Sequence, residues 1–206
     1  MATEKPPAEK NHRRQQHHTG ARRIDRILYC HGFASNFDPA KDKVQMLATF
    51  APVYGVTVDY TLHPREVFAT YARALQDQPN TLVIGTSMGG FFAAWLGSEL
   101  GLPFIAINPA LSPGISLRKH IGKGTTYFGT EFVLKREVVD AYADLPFRMD
   151  GEGEIILDLG DEVIDALATL TEIGSRLPVT AFEGGSHRFD HMQELLEITR
   201  KRFGLG

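Results

Sequence analysis

Thr81-Leu82-Val83-Ile84-Gly85-Thr86-Ser87-Met88-Gly89-Gly90 is the stretch that decides the fold, and Phe91-Phe92-Ala93-Ala94-Trp95-Leu96 follows it directly. The apolar residues before the first glycine are typical of a buried parallel strand, and the apolar run after the glycines predicts a helix packed on that strand. Between the two lies a Gly-x-Ser-x-Gly pattern, the sequence of a nucleophile elbow. Chance alone gives this spacing in roughly one chain in fifteen of this length. Its position between a strand and a helix is therefore the stronger part of the signal.

Steric contacts in the turn explain why this pattern has a glycine on each side of the serine. A strand that turns sharply into a helix holds its central residue in a strained conformation, and a Cβ two positions away would collide with the neighbouring backbone. Gly85 and Gly89 remove that collision. The turn lifts the Ser87 hydroxyl above the sheet and points the Met88 N–H outward at the positive end of the helix, where an oxyanion is stabilised. We therefore predict Ser87 as a nucleophile and the Met88 N–H as an oxyanion donor.

Composition and charge indicate one folded domain. The chain of 206 residues is 43% hydrophobic and 23% charged, as expected for a single α/β core. Residues 1–26 carry a net charge of +4 and the remaining residues −7, so the folded part is acidic. We therefore expect no nucleic-acid partner.

The beginning of the chain differs in composition from the rest. Residues 1–23 are rich in Lys, Glu, Pro, Gln, His and Arg and predict a disordered basic tail, followed by a domain over residues 24–206. The single cysteine, Cys30, excludes an internal disulfide and favours a reducing compartment. The sequence has neither an apolar run of about 18 residues nor the apolar core of a secretory signal near its start. We expect a cytoplasmic protein without a membrane span.

Strand and helix patterns alternate along the domain. This alternation predicts an α/β fold with a mostly parallel six-stranded sheet and helices on both faces. An insert over residues 112–153 follows the fourth strand; it has no strong strand pattern and contains a predicted helix over Glu131–Leu145. The six predicted strands are Ile24–Cys30, Val53–Tyr60, Thr81–Ile84, Leu102–Ile107, Glu154–Leu159 and Pro178–Phe182.

The insert is a candidate lid over a substrate pocket. Its aromatic residues would form the apolar wall of that lid or pack as ordinary helix-to-sheet contacts, and the sequence leaves both interpretations open. They are Tyr127, Phe128, Phe132 and Phe147.

Two further polar residues follow the last two predicted strands. Asp161 comes directly after the fifth strand, and His187 lies on a glycine-rich loop after the sixth. We predict that His187 is the base for Ser87 and that Asp161 orients it, the alternative for Asp161 being a simple helix N-cap. Asp158 and Asp165 rank lower, because one lies inside the strand and the other a turn into the next helix. The chain order serine, aspartate, histidine is that of the α/β-hydrolase fold.

The first strand ends in His31-Gly32-Phe33-Ala34-Ser35-Asn36. In this architecture the loop after that strand brings a backbone N–H beside the nucleophile, and a glycine permits the close approach. We predict that the Phe33 N–H joins that of Met88 as the oxyanion hole. His31 is expected to fix the loop by hydrogen bonds, and Cys30 to be a small core residue, with a catalytic thiol as second choice.

Over nearly everything after the tail, the sequence resembles the YqiA-like esterases, a family within the α/β-hydrolase superfamily. The resemblance implies hydrolysis of a carboxylic ester or thioester of an acyl group, without a cofactor. We expect a small-molecule substrate and no metal site. The matching segments are Leu28-Tyr29-Cys30-His31-Gly32-Phe33, Gly85-Thr86-Ser87-Met88-Gly89-Gly90, Asn108-Pro109-Ala110, Gly160-Asp161-Glu162-Val163 and Glu183-Gly184-Gly185-Ser186-His187.

Two other functions are compatible with these residues. An acyltransferase or peptidase on the same fold would share every catalytic residue and differ in what its pocket admits. A binding protein with this fold and no activity is a different class, and the three intact triad positions argue against it.

Overall fold

A parallel sheet forms the centre of the computed structural model, which describes residues 23–203. The prediction of a disordered tail over residues 1–23 lies outside these residues, apart from Arg23. The strands are β1 (Arg26–Cys30), β2 (Val53–Tyr54), β3 (Thr81–Thr86), β4 (Phe104–Ile107), β5 (Gly122–Thr125), β6 (Glu131–Leu134), β7 (Gly153–Asp158) and β8 (Val179–Phe182). The α-helices are α1 (Asp42–Ala48), α2 (Pro64–Ala74), α3 (Met88–Leu100), α4 (Pro113–Ser116), α5 (Arg136–Ala143), α6 (Ala166–Ile173) and α7 (Met192–Phe203).

Six of the strands pair in the order β2-β1-β3-β4-β7-β8, and every neighbouring pair is parallel. This confirms the six-stranded sheet expected from the sequence. Because all six strands point the same way, their carboxyl ends meet at one edge. The loops that carry Phe33, Ser87, Asp161 and His187 leave the sheet at that edge.

Two hydrophobic cores cover the two faces of the sheet. Neighbouring residues of one strand face opposite sides, so Leu28 and Val83 lie in one core while Ile27 and Leu82 lie in the other. The first core includes α2, α3, α5 and much of the insert, and the second includes α1 and α7. Helix α3 is buried from Met88 to Gly97, which explains why its sequence is almost entirely apolar. None of the helices in residues 23–203 has both the length and the apolar character needed to cross a bilayer.

The second predicted strand is much shorter than expected. Only Val53 and Tyr54 pair with β1, although the alternating apolar pattern continues to Tyr60. Val58 and Tyr60 are buried there without a strand partner, and the Val58 N–H donates to His31 Nε2 at 3.0 Å. The alternating pattern therefore reflects the burial of Val58 and Tyr60, and the Val58 N–H is bonded to the His31 side chain instead of a neighbouring strand.

The insert contains a β-hairpin that the sequence analysis missed. Strands β5 and β6 pair antiparallel, so the helix predicted over Glu131–Leu145 is wrong at its start, and the observed helix α5 begins at Arg136. Phe132 and Leu134 lie opposite Gly124 and Gly122, and these four residues turn away from solvent. Two glycines on one strand removed the usual β-strand signal.

Candidate active site

Ser87 occupies a strained turn between β3 and α3. Its φ of 58° and ψ of −120° are rare for a residue with a side chain. A Cβ at position 85 would collide with the carbonyl group of Gly89, and a Cβ at position 89 with that of Cys30. Both glycines are therefore required by the close approach of neighbouring backbone, as the pattern predicted.

The loop after β1 lies against this turn. A Cβ at Gly32 would be 3.7 Å from the Ser87 Cβ. Ser35 donates its N–H to the Gly32 carbonyl at 3.3 Å and closes a tight turn, which leaves the Phe33 N–H outside that hydrogen bond. The Met88 N–H is likewise free of intrahelical bonding, because it belongs to the first turn of α3. The two predicted oxyanion donors thus lie on two segments that contact each other.

His31 fixes the shape of this loop. Its ring is 1% exposed; Nδ1 donates to the Gly32 carbonyl at 2.8 Å, and Nε2 accepts the Val58 N–H. Burial lowers the pKa of His31 to about 4. The imidazole is therefore neutral and fully used in structural hydrogen bonds, in agreement with the role expected for it.

Cys30 lies at the end of β1, next to this loop. Its side chain is fully buried, and burial raises the pKa of its thiol. A cysteine that acts as a nucleophile has a lowered pKa and is accessible, and the Cys30 thiol has neither property. Cys30 is a core residue.

Asp161 and His187 form a close pair. His187 Nδ1 donates to Asp161 Oδ2 at 2.8 Å and also lies 3.0 Å from Oδ1. The carboxylate is 1% exposed and the imidazole 20% exposed. Asp161 Oδ1 also accepts the N–H groups of Val163 and Ile164, at 2.7 and 2.8 Å. Asp161 therefore caps the following turn and orients His187 at once, with Nε2 of the ring as the acceptor nitrogen.

No hydrogen bond joins the Ser87 hydroxyl to His187 within residues 23–203. Asn108 connects their two segments. The Ser87 N–H donates to the Ile107 carbonyl at 2.9 Å, and the Asn108 side chain donates to the Ser186 carbonyl at 3.0 Å. In ligand-free enzymes the hydrogen bond between a catalytic serine and its histidine is often long, and it tightens only when substrate binds.

Asn108 and Asp158 hold the His187 loop, and sequence reasoning missed both roles. Asn108 Oδ1 accepts the Asp158 N–H at 2.9 Å, and both residues are fully buried. Asp158 Oδ2 accepts the N–H groups of Ser186 and Asp190, at 3.2 and 2.7 Å. The sequence signal was a polar residue at the end of each of two buried strands, β4 and β7. Neither partner could be chosen before the loop conformation was known.

A second His–Asp pair lies beside the first. His191 Nδ1 donates to Asp158 Oδ1 at 2.7 Å, and its ring stacks on Phe182 with centroids 4.8 Å apart. The His191 ring is 24% exposed and is bonded to a fully buried carboxylate. Asp165, the other alternative acid, caps α6 by accepting the Ala168 N–H at 2.9 Å.

Glu162 contacts the His187 backbone from the solvent side. The His187 N–H donates to Glu162 Oε2 at 2.9 Å and lowers the pKa of that carboxyl. Lys43 donates to the Arg188 carbonyl. The loop that carries His187 is consequently held from both ends and from its outer side.

The insert contacts the loop after β1, which carries Phe33. The Tyr127 N–H donates to the Ala34 carbonyl at 2.9 Å, and the Phe132 ring packs edge-on against Phe33 with centroids 5.5 Å apart. Phe147 lies in the main core, whereas Tyr127 and Phe128 are 84% and 49% exposed. Phe147 therefore packs in the core, and the lid over a substrate pocket stays a prediction.

The family model described as "Uncharacterised protein family (UPF0227)" matches residues 26–201. The chain belongs to this family. It is the YqiA family that the sequence motifs indicated.

Two relatives of the chain are members of the same family. A UPF0227 protein of Vibrio parahaemolyticus is 24% identical over 183 residues, which cover 85% of this chain and 97% of the relative. A UPF0227 protein of Shewanella loihica is 28% identical over 169 residues, covering 79% and 90%. Their names describe no reaction.

Solved structures of the same shape are α/β-hydrolases. Est1E from Butyrivibrio proteoclasticus superposes with a TM-score of 0.65 and 15% identity, covering 87% of each chain. Mouse α/β hydrolase domain-containing protein 10 superposes with a TM-score of 0.64 and 13% identity, and the match covers 85% of this chain and 88% of the mouse chain. An esterase domain from Rhodothermus marinus superposes with a TM-score of 0.61 and 14% identity, and the match covers 90% of each chain. The UPF0227 chain therefore has the α/β-hydrolase fold.

Proposed function

We propose that this protein is a serine hydrolase that cleaves small carboxylic esters or thioesters of acyl groups. The observation that carries the proposal is the His187–Asp161 pair, at 2.8 Å, on the same sheet edge as the strained Ser87. A carboxylate on Nδ1 fixes the tautomer in which Nε2 can accept a proton. The esterase domain from Rhodothermus marinus and the other neighbours with this fold support the proposal, as does membership of the family.

The reaction has two steps. His187 Nε2 takes the Ser87 hydroxyl proton as Oγ attacks the acyl carbonyl, and the negative oxygen is bound by the N–H groups of Phe33 and Met88. The tetrahedral intermediate then expels the alcohol or thiol, which receives the proton from His187. Water attacks the acyl-enzyme in the same way and releases the carboxylic acid. Asp161 stabilises the charged imidazole in both steps.

The strain at Ser87 fits this role. A nucleophile elbow holds its serine in this kind of strained backbone so that the hydroxyl is exposed above the sheet. The φ of Ser87 is 58°, and such backbone costs of order 1–3 kcal/mol. A binding protein without activity has no need of this conformation. A small acyl substrate and a cytoplasmic location are part of the proposal.

The proposal is tested by labelling with a fluorophosphonate and by hydrolysis of p-nitrophenyl acetate and an acetyl thioester. Ser87→Ala should abolish both labelling and turnover. His187→Gln should reduce both by at least a thousandfold, while His191→Gln should retain most of them. The two histidines are a matched pair, because each ring bonds a buried carboxylate through Nδ1. Stoichiometric labelling of Ser87→Ala, or equal losses at the two histidines, would contradict the assignment.

A further inference from the structure

The turn that carries Phe33 has a conformation that its own residues disfavour. The turn spans residues 32–35 and is closed by the hydrogen bond from the Ser35 N–H to the Gly32 carbonyl; its third residue, Ala34, has a φ of 55°. Glycine is usual at a turn position with positive φ, and an alanine there is strained. A strained residue keeps its conformation only where the surrounding structure holds it. The turn therefore depends on contacts from outside it.

The hairpin of the insert, formed by β5 and β6, supplies such contacts. The Tyr127 N–H donates to the Ala34 carbonyl at 2.9 Å, directly at the strained residue. The Phe132 ring contacts the Phe33 ring with centroids 5.5 Å apart and an interplanar angle of 81°. His120, just before β5, packs on the same Phe33 ring with centroids 5.2 Å apart. The turn is thus held by its backbone and by its side chain.

The hairpin has a glycine where the Phe132 ring needs room. Gly124 and Phe132 are partners in the antiparallel register, and a Cβ at position 124 would lie 2.4 Å from Phe132 Cζ. A side chain at position 124 would therefore push the ring away from its place beside Phe33. The glycine that conceals β5 in the sequence is the residue that lets this ring reach the turn.

Hydrogen bonds within the tip of the hairpin fix the backbone of Tyr127. The Thr126 N–H donates to the Thr130 carbonyl at 2.8 Å, and the Thr130 N–H donates to Thr126 Oγ1 at 2.9 Å. The Gly129 N–H donates to the Thr126 carbonyl at 3.0 Å. Tyr127 itself is 84% exposed, so its described contact with Ala34 is made by the backbone. The tip therefore presents the Tyr127 N–H to the turn in a fixed position.

We infer that the hairpin positions the Phe33 N–H as an oxyanion donor, with Phe132 as a positioning residue. This inference rests on the proposed function and deepens it. An oxyanion donor has to lie within about 2.7–3.1 Å of the oxygen that becomes negative, and loss of one donor costs about 10²–10³-fold in kcat. Because the donor is a backbone group, no side-chain replacement removes it. The residues that hold its turn control its position instead.

Phe132→Ala and Val133→Ala are a matched pair of variants on β6. Phe132 contacts Phe33, whereas Val133 is 53% exposed and lies opposite Lys123. Both steps of the proposed reaction pass through an oxyanion, so Phe132→Ala should lower kcat for p-nitrophenyl acetate by about ten- to a hundredfold and change KM by less than about threefold. Val133→Ala should keep kcat within about twofold of the wild type. If the wild type hydrolyses the ester and both variants keep its kcat, the proposed function stands and the inference is wrong.

A transition-state analogue distinguishes positioning from a loss of folded protein. A trifluoromethyl ketone adds to Ser87 and places an oxyanion in the same hole, so its Ki should rise in Phe132→Ala by about the factor by which kcat/KM falls. Partial unfolding would instead reduce the number of sites that a fluorophosphonate titrates and leave Ki unchanged. An unchanged Ki would therefore overturn the inference.

Hydrogen exchange tests the contact without a substrate. The Ser35 N–H closes the turn and the Tyr127 N–H bonds to it, so both should exchange with deuterium at least about tenfold faster in Phe132→Ala than in the wild type. Both should exchange at the wild-type rate in Val133→Ala. Equal exchange in the two variants would overturn the inference whatever the activity. A wild type that neither hydrolyses an ester nor reacts with the fluorophosphonate would refute the proposed function, and the oxyanion role with it, even if exchange is faster in Phe132→Ala.

Discussion

Replacement of Asp161 by Asn tests the triad most directly. Asp161 Oδ1 is held by the N–H groups of Val163 and Ile164, so the oxygen of an asparagine would stay in that position. Its amide nitrogen would then face His187 Nδ1, where Oδ2 now accepts at 2.8 Å. An amide N–H forces Nδ1 to become an acceptor and moves the ring proton to Nε2. Nε2 then cannot take the proton of Ser87.

The expected loss is large in activity and small in stability. A histidine held in the wrong tautomer costs a Ser-His-Asp site about 10⁴-fold in kcat, which corresponds to about 5.4 kcal/mol of activation free energy. The turn keeps both of its N–H bonds to the Asp161 position, so the free energy of unfolding should change by less than about 1 kcal/mol. Activity and stability are therefore affected separately.

The assay measures kcat with p-nitrophenyl acetate and the urea midpoint of unfolding, for wild type, Asp161→Asn and Asp165→Asn. Asp165 is the matched control, because it caps α6 through the Ala168 N–H and asparagine is an equally good cap. It should retain wild-type kcat. If Asp161→Asn keeps more than a tenth of the wild-type kcat, or if Asp165→Asn loses as much, the reasoning from tautomers is wrong.

Three further predictions concern stability. Gly89→Ala should destabilise the fold by about 3 kcal/mol or more, because its Cβ meets fixed backbone, whereas Gly32→Ala, whose nearest contacts are 3.6 Å or longer, should cost less than about 1 kcal/mol in urea titrations. The His31 pKa of about 4 in the folded protein lies below the usual value of about 6.5. Between about pH 6.5 and pH 4 this histidine is therefore protonated in the unfolded chain but largely neutral in the folded one. Stability should thus fall by about 2.5 kcal/mol from pH 7 to pH 4.5, and His31→Gln should lack this part of the decrease. Asn108→Ala leaves the Ser186 carbonyl and one buried N–H without partners and should cost about 3 kcal/mol, measured by urea denaturation, together with a lower kcat.

The sheet could be predicted from the sequence because its strands are apolar runs between turn residues. The structure confirms six parallel strands. Their ends differ from the expected ones by a few residues, and the largest difference is at β2, which ends at Tyr54 and not at Tyr60. The pattern failed at Val56, Val58 and Tyr60, where burial alternates without a strand partner. It failed again at Gly122 and Gly124, whose missing side chains conceal a strand.

The candidate site was predictable where backbone geometry demands a residue type. Gly85 and Gly89 are required by steric contacts of a turn whose residue types recur in sequence, although the backbone that Gly89 approaches belongs to Cys30 on a distant strand. The arrangement of the His187 loop depends on long-range hydrogen bonds, above all those of Asp158 with Ser186 and Asp190. One sequence cannot reveal such partners. The roles given to the triad and to the oxyanion donors stay predictions until the variants are assayed.

The shortness of the outermost strands has a consequence for association with other chains. At one border of the sheet β2 pairs only Val53 and Tyr54, and at the other β8 spans Val179–Phe182. Unpaired strand borders are templates on which foreign strands add, and longer borders recruit them more readily. With two and four residues at its borders, this sheet offers little backbone for such addition, so the described domain is protected against growth into intermolecular sheets.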